Sequence, residues 1–258
     1  VLDDDFDTDM GFNGRIQFGL GIKDPNISDY NLAGGESNGF ECDNNDLAGY
    51  NANVPSPANG SIDWAKLHTK AVFSNMTMVG PYADGTGYGQ DLTSTNPAIA
   101  AHKNGAHLRR NMAQTVVNTI FVGYKTGLRF QIAGTKDNLD PFQATYTDSS
   151  ATYANNYIVG SKVANFQGGD ADFTQVWYHT YVPLHSIDTT KTVSDIKFVD
   201  PNFDGLDDGG GVGQTPDFRL QAASVAASGA VFTDPNIYGG FTGVKNLTNT
   251  LENSFVVY

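Results

Sequence analysis

The stretch Asn75-Met-Thr-Met-Val-Gly80 decides the fold, because the chain repeats its pattern twice more. The further copies are Asn118-Thr-Ile-Phe-Val-Gly123 and Asn155-Asn-Tyr-Ile-Val-Gly160, and the three copies start 43 and 37 residues apart. A short phrase that returns at long, unequal intervals is typical of a β-solenoid, in which each repeat adds one strand to a growing parallel sheet. Three unrelated buried strands that each end at a glycine are the alternative.

The equal distance from each asparagine to its glycine predicts that the three asparagines occupy equivalent positions at a turn. We therefore expect Asn75, Asn118 and Asn155 to form an internal ladder, in which each side-chain amide bonds its neighbour along the stack.

Composition supports a single all-β domain over residues 1–258. The chain has 29 glycines, 16 phenylalanines and 12 tyrosines, and only 17% of its residues are charged. Glycine and aromatic residues favour turns and strands, whereas long helices would need more Glu, Lys, Leu and Ala. The modest alternation of residues 218–258 predicts a closing cap.

The net charge of −13 makes nucleic acid an unexpected partner, because such a surface repels phosphate backbones. The single cysteine, Cys42, rules out an intrachain disulfide. No apolar run approaches the roughly 18 residues that a membrane-spanning helix requires. We therefore expect a protein that does not span a membrane. With nucleic acid disfavoured, a glycan or another protein is the expected partner.

Two acidic clusters are candidate calcium sites, and the first is at the start of the chain. It places Asp3, Asp5, Asp7 and Asp9 at alternate positions, which would share one face of a strand. Four carboxylates on one face repel each other unless a cation is bound, and calcium accepts six to eight oxygen ligands. The alternative is an exposed acidic arm that binds no metal.

The second cluster is the stronger calcium signal. Asp200, Asn202 and Asp204 supply oxygens at offsets one, three and five, Gly205 allows the sharp turn, and Asp208 follows. The pattern indicates a structural Ca2+ ion, and a plain turn rich in Asp, Asn and Gly is the alternative.

His107 and Arg109 are the candidate catalytic residues of an alternative function. On a strand they share one face, where His107 would abstract a proton and Arg109 would neutralise the carboxylate of a uronic acid, as a polysaccharide lyase requires. The favoured interpretation is that the arginines pair with neighbouring aspartates, because acids are abundant in this chain.

Several phrases together resemble a poorly characterised family of secreted or surface-anchored Bacteroidota proteins. They are Asp3-Asp-Asp-Phe-Asp-Thr-Asp9, Gly14-Arg-Ile-Gln-Phe18, Ser37-Asn-Gly-Phe-Glu-Cys-Asp-Asn44, Val72-Phe-Ser-Asn-Met-Thr-Met-Val-Gly-Pro81, Gly105-Ala-His-Leu-Arg-Arg-Asn111, Ala230-Val-Phe-Thr-Asp234 and Gly239-Gly-Phe241. The resemblance implies a right-handed parallel β-helix on the outer surface of a Gram-negative bacterium or outside the cell. It also implies further β-helix rungs, or a second chain, before Val1. Cys42 departs from the family pattern, which has a small polar residue there.

Three functions are compatible with these features. The first is a non-catalytic, calcium-stabilised binding protein that engages a glycan or another surface protein through residues 24–62 and 82–104. The second is a polysaccharide lyase or glycoside hydrolase that uses His107 and Arg109. The third is a structural surface-layer or adhesin stalk. Asp188-Thr189-Thr190 also resembles the Bacteroidota O-glycosylation acceptor, with Thr189 as the modified residue.

Overall fold

The computed structural model describes residues 3–9, 11–24, 27–29, 35–43, 69–83, 100–109, 112, 114–131, 152–161, 164–168, 187–201 and 217–232. Its strands are β1 (Phe6–Thr8), β2 (Arg15–Gln17), β3 (Leu20–Ile22), β4 (Phe40–Cys42), β5 (Val72–Ser74), β6 (Thr77–Val79), β7 (Asn104–Arg109), β8 (Thr115–Val117), β9 (Ile120–Val122), β10 (Thr126–Gln131), β11 (Tyr153–Ala154), β12 (Asn156–Val159), β13 (Ala164–Gly168), β14 (Ile187–Asp188), β15 (Phe198–Asp200) and β16 (Asp217–Leu220). Val193–Ile196 form a short helix, α1.

The strands β1 to β14 form three parallel sheets. Sheet A has the order β1-β4-β7-β10-β13, sheet B has the order β2-β5-β8-β11, and sheet C has the order β3-β6-β9-β12-β14. From β1 to β12 the chain visits A, B and C in rotation, and we call each set of three strands a round. The remaining strands, β15 and β16, pair antiparallel. The prediction of an all-β protein is therefore confirmed for the described residues.

The repeated phrase forms one strand of sheet C, and its asparagine directly follows a separate strand of sheet B. Asn75, Asn118 and Asn155 have φ angles of 54°, 52° and 54°, and each lies between a strand of sheet B and a strand of sheet C. Asparagine tolerates this left-handed conformation better than other non-glycine residues do. The alternating apolar residues Ile16, Phe18, Leu20 and Ile22 would predict one continuous strand, but Phe18 has a φ of 63° and separates β2 from β3.

The core inside the three sheets consists of residues at alternate strand positions. Phe40 from sheet A lies 4.7 Å from Phe73 of sheet B and 5.4 Å from Phe121 of sheet C, measured between ring centroids. Further buried members are Cys42, Ala71, Met76, Met78, Ala106, Leu108, Met112, Val116, Tyr124, Leu128, Tyr153 and Ile158. Because strands of all three sheets place one face in this core, the outward residues of each sheet determine which surroundings its other face meets.

The outward residues of sheet C are apolar and are covered by the chain itself. We call residues 193–201 and 217–232 the C-terminal cover. It includes Ile196, Phe198, Phe218, Ala226 and Ala230, which form one buried cluster with Val79, Ile120, Val122 and Val159 of sheet C. The sheet residues come from three successive rounds, so the described part of the predicted closing cap lies along the side of the sheets. Residues 233–258 lie outside the described part.

Candidate functional site

Sheet A is the sheet that adjoins the long connections of the chain. The segments 23–39 and 80–103 lead into it from sheet C, and the segments 43–71 and 132–152 lead from it to sheet B. By contrast, one or two residues join each strand of sheet B to the next strand of sheet C. Sheet A is therefore the sheet that all four of these connections enter or leave.

The outer face of sheet A carries a row of charged and ionisable residues. Asp7, Glu41, His107 and Arg129 lie in register on β1, β4, β7 and β10. Their strand neighbours Phe40, Ala106, Leu108 and Leu128 are buried in the core, so the row faces away from it. Such alternation between apolar and polar residues is expected of strands with one face in a core.

Glu36 is at the centre of one ion-pair network on this face. Its carboxylate lies 2.9 Å from Lys103 Nζ and 3.4 Å from His107 Nδ1, and both of its oxygens lie 3.1 Å from Arg129 Nη1. Burial on its own would raise the pKa of Glu36, but the hydrogen bond from Lys103 and the charges of its basic neighbours outweigh burial and lower that pKa. Glu36 is therefore ionised at neutral pH.

Glu41 and Asp43 form a second network around Arg109. Arg109 Nε donates a 2.7 Å hydrogen bond to Asp43, and its Nη2 pairs with the Glu41 carboxyl group. Burial raises the pKa of Glu41 to about 9, and a hydrogen bond with Asp4 adds to that rise. The pKa of Arg109 is also raised, because its bond and charge interaction with Asp43 outweigh burial. The structure thus pairs Arg109 with acids of the adjoining strand β4.

His107 is poorly placed to act as a catalytic base. Only 2% of its surface is exposed, and Nδ1 lies 3.4 Å from Glu36 and 3.6 Å from Glu41. A base that abstracts a proton must reach the substrate. Arg110, the third basic residue of this stretch, lies outside the described residues.

The structure places the aspartates of the first acidic cluster in different surroundings. Asp5 forms a buried 3.1 Å ion pair with Lys23, and it lies where a side chain at Gly21 would clash with it. Asp3, Asp7 and Asp9 are exposed. The residues that the structure describes contain no group of three or more His, Cys, Asp or Glu side chains placed to hold a metal ion.

For the second acidic cluster the structure shows only its first residue. Asp200 is exposed at the end of β15, where its backbone is in register with Asp217. Asn202, Asp204 and Asp208 lie outside the described residues.

The three asparagines of the repeated phrase are in equivalent register, but their amides differ in their contacts. The Asn118 amide forms two hydrogen bonds with the backbone of Val231, in the C-terminal cover, at 2.9 and 3.0 Å. The Asn75 oxygen accepts hydrogen bonds from Gln17 and Ser74. These bonds connect the Asn118 turn to the C-terminal cover and the Asn75 turn to β2, and the ladder itself stays a prediction.

Asn38 and Asn104 stack on each other at the start of sheet A, and sequence reasoning missed this contact. The Asn38 oxygen accepts hydrogen bonds from the backbone and the side-chain amide of Asn104, at 3.1 and 2.7 Å. Asp4 accepts the Asn38 backbone amide in the same way, at 2.6 Å. The available signal was the repetition of Asn-Gly-apolar at residues 38–40 and 104–106. A Cβ at Gly39 would lie 2.5 Å from the Gly105 carbonyl oxygen, so the stacking requires glycine there.

The candidate glycosylation site is in a turn fixed by Asp188. The Asp188 carboxylate accepts hydrogen bonds from the Thr190 backbone amide and hydroxyl, at 2.8 and 2.7 Å. Thr189 itself is half-buried.

Comparisons of the chain with models of protein families, with curated proteins and with solved structures gave no match. Among the described residues, no helix is long and apolar enough to cross a membrane.

Proposed function

We propose that the chain is a right-handed parallel β-helix and that it functions as a non-catalytic binding protein through the outer face of sheet A. One observation carries this proposal. Sheet A adjoins the long connections and has a charged outer face, whereas the outer face of sheet C is covered by the chain's own C-terminal residues. Rigid scaffolds commonly present their binding residues on loops that connect the strands.

The rotation of the chain through three parallel sheets supports the β-helix, because a solenoid adds one strand to each sheet per turn. Right-handedness is the ordinary hand of connections between parallel strands. The family resemblance adds the same expectation.

The burial of His107 supports binding without catalysis. Its ring nitrogen Nδ1 lies 3.4 Å from the Glu36 carboxyl group and 3.6 Å from that of Glu41, and Arg109 also pairs with Glu41 on the neighbouring strand β4. These contacts give both residues a structural role.

The partner that we propose is a glycan or another surface protein, contacted by residues 24–62 and 82–104. Placement outside the cell or at the outer membrane follows from the resemblance to Bacteroidota surface proteins. A structural Ca2+ ion in the loop from Asp200 to Asp208 is part of the same proposal and would stabilise the C-terminal cover.

Site-specific blocking tests the proposed face. Asp7 is exposed on sheet A and Ser194 is exposed on the C-terminal cover, so Asp7→Cys and Ser194→Cys provide matched attachment points for a bulky maleimide. The native thiol, Cys42, is buried and will not compete. Ligands found on an array of neutral and acidic glycans should lose binding when Asp7→Cys is labelled and keep it when Ser194→Cys is labelled. Blocking by the Ser194 label alone would refute the proposal, and so would unsaturated uronate products after incubation with acidic polysaccharides.

A further inference from the structure

The corner of sheet A where β7 and β10 begin differs in charge from the rest of this acidic protein. Lys103 and Lys125 immediately precede these two strands, and the Thr126 backbone amide donates a 2.9 Å hydrogen bond to the Lys103 carbonyl oxygen. Arg129 follows on β10. Two of these basic residues, Lys103 and Arg129, pair with the acid Glu36, and Lys125 is a third basic residue at the same corner of a chain whose net charge is −13.

The Glu36 carboxylate shows which chemistry this corner accommodates. It receives hydrogen bonds from Lys103 at 2.9 Å, from Arg129 at 3.1 Å and from Asn104 at 3.4 Å. Donors from two neighbouring strands thus converge on a planar carboxylate, which is the group that arginine pairs with best.

One carboxylate does not balance the charge of the corner. Lys103 and Arg129 pair with Glu36, whereas Lys125 forms no hydrogen bond or ion pair with any residue that the structure describes. The Lys103 side chain is also 34% exposed, so its ammonium group can contact a ligand while it pairs with Glu36. A surplus of positive charge at a solvent-accessible position attracts anions.

We propose that this corner, formed by Lys103, Lys125 and Arg129 beside Glu36, binds a carboxylate group of an acidic polysaccharide. The proposal rests on the function proposed above and specifies the ligand class. An acidic sugar chain fits better than a nucleic acid, because three basic residues neutralise only a few charges and the remaining surface repels a dense polyanion.

Direct binding measurements with oligogalacturonate test the ligand class, with the fully methyl-esterified oligomer as the neutral control of equal length. The folded full chain should bind the acidic oligomer more tightly, and added salt should weaken that binding. Lys125→Gln should raise the Kd by about two- to fivefold, the range expected for one exposed charge pair. Glu36→Gln should lower the Kd, because it removes the competing carboxylate, and thermal melting will verify that this variant is folded.

Lys191→Gln is the matched control, since Lys191 adjoins the C-terminal cover, and it should leave the Kd unchanged. Equal binding of the acidic and esterified oligomers, or no effect of Lys125→Gln, overturns the carboxylate site while the binding function stands. Tighter binding of a single-stranded oligonucleotide also overturns it. Failure of the Asp7 label to block any array ligand would refute the binding function itself, so the two failures are distinguishable.

Discussion

In both sheet A and sheet C the strands alternate between inward and outward residues, yet the outer faces of the two sheets differ. The outer face of sheet C is covered by the chain, whereas that of sheet A is partly exposed. On sheet C the outward residues Val79, Ile120 and Val122 are apolar and fully buried under the C-terminal cover. On sheet A the equivalent outward residues, such as Glu41 and Arg129, are ionised or polar and partly exposed. The inward residues of both sheets belong to the same core and do not distinguish the two sheets. The outward residues do, because only those of sheet C pack against the C-terminal cover.

Introducing a charge into the covered face should have the largest effect. Val122→Asp places a carboxylate between sheet C and the C-terminal cover with no basic partner nearby in the cluster, and we expect it to lower the free energy of unfolding by about 4 kcal/mol or more. Val199→Asp is the control, because Val199 is 45% exposed, and its effect should stay within about 0.5 kcal/mol. Urea denaturation measures both. Equal effects would mean that the cover does not seal sheet C.

Removal of a cation from the charged face should have a smaller effect. Arg109→Ala leaves Asp43 and the Glu41 carboxyl group buried without their basic partner, and we expect a loss of about 2 kcal/mol, less than for a fully buried pair because these side chains keep some exposure. Arg219→Ala removes an arginine from the exposed pair with Asp217 and should have a much smaller effect, because solvent screens this pair. If urea denaturation gives the two variants the same stability, the network on sheet A contributes no more than a surface ion pair.

The pH dependence of stability should depend on Glu41. Its folded-state pKa is raised from 4.5 to about 9, so the folded state holds this proton after the unfolded state has released it. The contribution of Glu41 to stability is therefore present below pH 4.5, falls as the pH rises towards 9, and is constant above that. Glu41→Gln should flatten this part of the curve of stability against pH.

Glu36→Gln is the control for the measurement of stability against pH, because the pKa of Glu36 is shifted in the opposite direction to that of Glu41. The pKa of Glu36 is lowered, so its contribution is present above the unfolded-state pKa and is lost as the pH falls through the folded-state pKa. Its replacement should therefore reduce stability at neutral pH and change the acid side of the curve. If stability still falls between pH 4.5 and pH 9 in the Glu41→Gln variant, this pH dependence does not come from Glu41.

The bond between the turn and the C-terminal cover should have the smallest effect. Asn118→Gly keeps the left-handed conformation and removes both side-chain hydrogen bonds to Val231, so we expect a loss of about 1 kcal/mol. Asn155→Gly makes the same exchange at the equivalent turn of the next round and should cost less. Hydrogen exchange of the Val231 amide should increase only in the Asn118 variant, and an increase in both would show that the anchor lies elsewhere.

The sequence predicted the strand class and the repeat, because apolar periodicity and the spacing of Asn75, Asn118 and Asn155 are local signals. It did not predict that a separate strand of sheet B ends immediately before each phrase, since asparagine in a left-handed conformation resembles any other polar residue in a one-dimensional pattern. The pairing of Arg109 with acids was the favoured interpretation, but the partners Asp43 and Glu41 depend on strand register. Glu36 was missed as the network centre because its partners lie on strands distant in sequence.

Native-state hydrogen exchange tests the central claim most directly, namely that the chain seals sheet C itself and leaves sheet A for a partner. If the claim is right, the amides of Ile120–Val122 and those of Phe198–Asp200 and Asp217–Leu220 will share one free energy of opening, because sheet and cover protect each other. If the amides of the cover open with a much smaller free energy while those of Ile120–Val122 stay protected, the cover is not an integral part of the fold. The contrast between the two faces would then be wrong.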